Sequence, residues 1–222
     1  MSTSERVLVV APHPDDESLG CGGTLLRHRA EGAEVHWLIV TDMTPSYGAA
    51  RIAAREREIV QVADRYGFAG VHRLGLPTTQ LDTLPTGDVV GAIAGVISSV
   101  EPDTVYLPHR HDVHSDHTVV FDATVAATKS FRAPSVRALH AYETLSETDF
   151  ALRPDGAFRP TLYVDVTDHL EGKQQILALY EGELRDLPFP RSPQAVAALA
   201  TLRGVQAGVL AAEAFMTLKE IR

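Results

Sequence analysis

A chain of 222 residues, 45% hydrophobic and 22% charged, carries enough apolar material for one α/β unit, and residues 1–222 are read as a single domain. Its net charge of -9, with the basic residues scattered, argues against a nucleic-acid partner. The lone Cys21 excludes an internal disulfide and a multi-cysteine zinc site; with no run of ~18 apolar residues and no signal-peptide core, a cytoplasmic protein without a membrane partner is expected.

The first predicted element is a buried strand over residues 7–10. It stops at Pro12-His13-Pro14 and runs into Asp15, Asp16 and Glu17. Two prolines fix φ on both sides of His13 and remove backbone donors, so neither strand nor helix continues through the turn. Adjacent carboxylates repel each other unless something compensates, and a divalent cation is the simplest compensation. In a parallel sheet such groups arrive at the carboxyl edge, where ligands bind. A helix over residues 18–32 follows, with the glycines of Gly20-Cys21-Gly22-Gly23 expected to bring it close to the first strand. This run lacks the G-x-G-x-x-G spacing of a dinucleotide cradle, and the preceding acids would repel a pyrophosphate.

Residues 34–41 read as a second buried strand ending at Thr41-Asp42 on the same edge. A helix spans 49–66, with Ile52, Ile59, Val62 and Ala63 inward; its pattern alone leaves Arg51, Arg55, Glu56, Arg57 and Glu58 on a solvated face. A short strand at 71–74, a Pro-, Thr- and Gly-rich loop at 75–88 able to cover a site, a helix at 89–100 and a strand at 103–108 come next.

That fourth strand ends in His109-Arg110-His111-Asp112-Val113-His114-Ser115-Asp116-His117, before a helix over 118–128. His109 and His111 fit ordinary exposed loop histidines. His114, Asp116 and His117 stand where a strand gives way to a helix, the position that carries chemistry in such sheets. His13, Asp16 and His117 then form a His₂-carboxylate set with a fourth position open, the composition of a hydrolytic zinc centre, although nitrogen and oxygen donors also admit Fe²⁺ or another divalent metal. Asp15, beside a ligand and without a partner of its own, is assigned as general base. His114 is placed to hydrogen-bond the oxygen that becomes anionic and to act as acid for the departing amine, with Asp116 holding it as imidazolium.

PHPDDE at residues 12–17, paired with D-x-H-x-D-H at 112–117, resembles the LmbE-like or PIG-L family of zinc-dependent N-deacetylases. The resemblance implies a Rossmann-like three-layer sandwich around a mostly parallel sheet. It also implies hydrolysis of an N-acetyl group on a GlcNAc-like sugar or a small molecule containing one, releasing acetate and a free amine. It carries zinc ligands onto His13, Asp16 and His117, the base onto Asp15 and a charged histidine onto His114. Arg55-x-x-Glu58 resembles the family's R-x-x-E helix, which implies that Arg55 faces the substrate, and residues 203–215 are similar to its closing helix. Thr41-Asp42-Met43-Thr44 stands where many relatives have a Gly-Glu pair, and Pro77-Thr78-Thr79 where an acid is common, so a different acceptor sugar is expected.

In the second half, strands are expected at 135–142 and, suited to a sheet edge, at 161–166, with a polar loop at 143–159 between them. Helices are expected at 169–185 and 193–219. Phe215, Met216 and Leu218 on the last of these are assigned to the core or a subunit contact, and the apolar surplus over 196–214 suggests a homo-oligomer. The alternative for the whole chain is a non-catalytic sugar or nucleotide-sugar binding protein with a structural metal. That reading requires a closed coordination sphere, and the sequence offers no fourth ligand besides Asp15. Within enzymes, hydrolysis of a thiol- or nucleoside-linked conjugate by the same centre is a further alternative.

Overall fold

The structure, a computed structural model, describes residues 4–222. In chain order the elements are β1 (Arg6–Ala11), α1 (Asp16–Ala30), β2 (Glu34–Asp42), α2 (Ala49–Tyr66), β3 (Gly70–Pro77), α3 (Thr86–Val100), β4 (Thr104–Pro108), α4 (Ser115–Ala127), β5 (Ala138–Tyr142), β6 (Leu162–Asp165), α5 (Leu170–Leu177), α6 (Pro193–Ala207) and β7 (Ala212–Glu220). Alternate residues of β1 feed opposite cores: Val7, Val9 and Ala11 pack with Ile59, Val62 and Tyr66 of α2, while Leu8 and Val10 pack with Ile93 and Ile97 of α3 and Val120 of α4. A strand buried on both faces belongs in the middle of a sheet covered on both sides, and three layers follow.

The seven strands run in the order β3-β2-β1-β4-β5-β7-β6. The first five are mutually parallel, and β7 is antiparallel to both β5 and β6. The chain builds outward from β1 to β3 on one side, then returns to lay β4 against the other side of β1. The crevice at this reversal lies beyond the carboxyl ends of β1 and β4, the turns that carry His13 and His114. No helix among the described residues is long and apolar enough to cross a membrane.

The expected helix over 193–219 is corrected: α6 stops at Gly208, which takes the left-handed conformation (φ 77°), and the rest of the segment is β7. Phe215 enters one core and Met216 the other, an alternation that belongs to a strand, whereas a run of small apolar residues also satisfies a helical period. The 203–215 stretch taken as a closing helix therefore spans a helix end, a turn and a strand start. The helix expected at 169–185 is confined to α5, and β6 lies at the sheet edge as expected.

The glycines of α1 serve contacts other than the one expected. A Cβ on Gly20 would lie 2.2 Å from Cδ2 of Tyr142, at the end of β5, and one on Gly23 would lie 2.8 Å from Cβ of Val166. Between them α1 kinks at Cys21 (φ -142°). The buried carboxylate of Glu213, on β7, accepts the Gly23 and Thr24 amides at 2.9 and 2.7 Å and so caps the second half of the helix. Lys173 neutralises that carboxylate at 2.6 Å and donates to the Leu19 carbonyl at 2.9 Å.

Candidate metal centre

The turn after β1 is tied together by its own acids. Asp15 lies at φ 134°, a conformation that side chains rarely take, and its amide donates to Glu17 Oε2 at 3.0 Å. Glu17 is held in turn by the Ser18 and Tyr180 hydroxyls at 2.5 and 2.6 Å. Asp16 Oδ2 accepts the His13 amide at 2.9 Å and lies 3.2 Å from both His13 Nδ1 and His117 Nε2. One donor atom from each of His13, Asp16 and His117 lies within 4.8 Å of the others.

Each ring is oriented by a second carboxylate. His117 Nδ1–H donates to Asp112 Oδ2 at 2.8 Å, which leaves Nε2 free to ligate. His13 Nε2–H donates to Asp116 Oδ2 at 3.0 Å, which leaves Nδ1. Asp116 is fixed by the Thr79 and Leu81 amides at 2.7 and 3.3 Å, and Asp112 by the Thr148 hydroxyl at 2.6 Å. His13, His114 and Asp116 form a second convergent set, which the hydrogen bond from His13 to Asp116 accounts for.

Burial pulls the His13 imidazole down, but Asp116 and Asp16 together raise it to about 9. His117 is likewise held well above the ordinary imidazole range: burial opposes its charge, and Asp16 and Asp112 outweigh burial. Burial drives Asp16 upward, yet His117 and His13 leave it well below the ordinary carboxylate range. A cluster of acids that favours protons on two imidazole rings has the potential to retain a divalent cation, and its nitrogen and oxygen donors fit one.

Three expectations need correction. Asp15 is not without a partner: its Oδ2 accepts from Arg191 Nη1 at 2.8 Å, and burial, opposed by Arg191, pushes the acid up to about 8. Asp116 does not hold His114 as imidazolium. His114 Nδ1 accepts the Asp116 amide at 3.1 Å, so the ring is a neutral Nε2–H donor, while the Asp116 carboxylate turns to His13. Burial and the nearby His13 also hold His114 below its ordinary value. Finally, His109 is buried, its Nε2 donating to the Gly156 carbonyl at 2.9 Å.

Arg55 leaves the solvated face that periodicity alone gave it. It is buried, donates to the Pro14 carbonyl at 2.6 Å, pairs with Glu183 and lies beside Glu58 at 3.2 Å. It borders a cleft of about 310 Å³ over His13, Asp15 and His114, to which the segments around Asp42, Thr78 and Glu147 contribute, each following a parallel strand. The sequence motif contained Asp112 without giving it a role; its place five residues before His117 was the signal. Arg191, Glu183 and Glu147 carried no local signal beyond lying near or within loops.

Residues 8–128, from β1 through α4, match the family described as PIG-L: GlcNAc-PI de-N-acetylase. The chain belongs to this family. Among its relatives, diacetylchitobiose deacetylase of Thermococcus kodakarensis is 24% identical over 191 residues, covering 81% of this chain and 70% of that protein. The 1D-myo-inositol 2-acetamido-2-deoxy-alpha-D-glucopyranoside deacetylase of Rhodococcus jostii is 32% identical over 140 residues, covering 59% of this chain and 44% of that longer one. The crystal structure of a conserved protein from Thermus thermophilus superposes with a TM-score of 0.78 at 28% identity, covering 97% and 96% of the two chains. The family match contains both turns that supply His13, Asp16 and His117, whereas Glu147, Glu183 and Arg191 lie beyond it.

Proposed function

We propose that this protein is a metal-dependent N-deacetylase that hydrolyses the acetamide of a GlcNAc-like sugar, or of a small molecule containing one, to acetate and a free amine. The observation that carries this is the meeting of His13, Asp16 and His117 at a cleft that His13, Asp15 and His114 line. The relatives' activity on acetylated sugars supports the same substrate class. The His₂Asp donor set favours zinc, with ferrous iron the alternative.

Bound by these three residues, the metal would supply Lewis-acid chemistry to the amide carbonyl and to the attacking water. Asp15 takes the proton from that water, and Arg191 fixes the orientation of its carboxylate. His114 donates its Nε2–H to the carbonyl oxygen as charge develops there, in the tautomer that the Asp116 amide selects. The proton held by Asp15 is the one the amine nitrogen needs to depart, so His114 stays neutral throughout. A purely structural metal would want a fourth protein donor, and Asp15 is engaged with Arg191 instead.

The test is release of acetate and primary amine from a panel of N-acetylated sugars, before and after chelation and for Asp15→Asn. Turnover should fall about 10²- to 10⁴-fold in the variant while its metal content stays at parent level. Chelated protein that deacetylates as fast as the loaded form refutes the proposal.

A further inference from the structure

Three guanidinium groups border the cleft, those of Arg55, Arg73 and Arg191, and each is already engaged. At the rim Arg73 grips both oxygens of Glu56 at 2.5 and 2.7 Å and reaches Asp42 at 2.7 Å. Deeper in, Arg191 meets Asp15 at 2.8 Å, Glu183 at 3.2 Å and Glu147 at 3.4 Å, and its Nε is on the Ser146 hydroxyl at 2.7 Å. Arg55 shares Glu183 and holds the Pro14 carbonyl. The cations are therefore outnumbered: five carboxylates, from Asp15, Asp42, Glu56, Glu147 and Glu183, border the same space. Even with Asp15 set aside, no excess of positive charge remains among these side chains.

An entering phosphate or carboxylate would find no free donor fork, because all three guanidinium groups are already paired, and taking an unpaired anion out of water is strongly unfavourable. An ammonium group fares little better, since arginines already occupy the carboxylates. What the cleft does offer is apolar surface from Met43, Tyr47, Ile52 and Ile59. Tyr47, on the short turn Pro45–Tyr47 after β2, keeps 45% of its surface open to solvent, where an aromatic ring gains most from being covered.

Resting on the deacetylase function above, we propose that the group attached to the N-acetylated sugar is uncharged with an apolar face, an aryl or alkyl aglycone, contacted by Tyr47 and Met43. Acidic acceptors are excluded by the arginine-carboxylate pairs.

The experiment compares the phenyl, phosphate and aminoethyl glycosides of N-acetylglucosamine on zinc-loaded protein, following acetate release and, in parallel, calorimetric binding. The phenyl glycoside should lead by about tenfold or more, the effect of covering one aromatic face. Tyr47→Ala should abolish that lead. The double variant Asp42→Asn with Glu56→Gln, which frees the Arg73 fork, should improve the phosphate glycoside by about tenfold over the parent. Absence of a phenyl preference in both readouts overturns the proposal. If no glycoside releases acetate yet the phenyl compound binds tightest, the deacetylase function falls and the aglycone preference stands. Equal acetate release and equal binding from all three leave the function and remove the preference.

Discussion

Asp112 belongs neither to the convergent donor set nor to the cleft lining, yet removing it should weaken metal binding more than most substitutions in the cleft. Its carboxylate is buried, with Oδ2 2.8 Å from His117 Nδ1 and Oδ1 2.6 Å from the Thr148 hydroxyl. Asp112→Ala removes the acceptor that fixes the ring's tautomer and rotation, and it deletes a negative charge one imidazole away from the ligating nitrogen. Loss of such an outer partner typically costs about 10- to 100-fold in metal affinity, or about 1.4 to 2.7 kcal/mol. Asp112→Asn keeps an acceptor for Nδ1–H but loses the charge, so it should fall between the parent and the alanine variant. Competition with a fluorescent zinc chelator near neutral pH measures all three. Asp122→Ala, which removes a solvent-exposed partner of Arg110, serves as a control and should leave the metal unaffected. If Asp112→Ala holds zinc within about twofold of the parent, His117 is not the ligand that Asp112 orients, and the assignment of the centre fails.

Gly20→Ala should destabilise the protein by about 1–3 kcal/mol in thermal or denaturant unfolding, because the new Cβ meets the Tyr142 ring at 2.2 Å; an unchanged midpoint would refute the packing. Lys173→Met leaves the Glu213 carboxylate buried without its cation and should cost about 3–5 kcal/mol, measured the same way, against little change for an exposed lysine such as Lys129. Burial, with His28 nearby, holds His140 below the ordinary imidazole value. The unfolded chain therefore takes up a proton as pH falls below about 6.5, while the folded protein does not, so this residue's contribution to stability is lost as pH drops through that window. His140→Gln should flatten that part of the stability profile, and an unaltered profile would show that the residue is not involved.

Local sequence is sufficient for the two turns that bring His13, Asp16 and His117 together. A buried strand stopping at Pro-His-Pro and acids, and another stopping at clustered histidines and aspartates, can each be read within a dozen residues, and a parallel sheet brings their ends together. The partners from afar were not legible. Arg191 reaches Asp15 across 176 positions, and His13 meets Asp116 across 103, so no periodicity or spacing connects them. Adjacency points Asp116 at its neighbour His114, whereas its amide serves His114 and its carboxylate serves His13. The sequence of β7 also suits a helix, because alanines fit either period; what decides it is the place left between β5 and β6, a tertiary fact.

Glu213 ties the last strand to the helix whose first residue is Asp16, so the segment that matches the family cannot be excised as a minimal working fragment. Cut after α4, the helix would lose the acid that closes its kink, and Asp15 would lose the guanidinium that aims it. A shortened clone ending there should be insoluble or inert, whereas appending a purification tag beyond Glu220, past the end of β7, leaves these links intact.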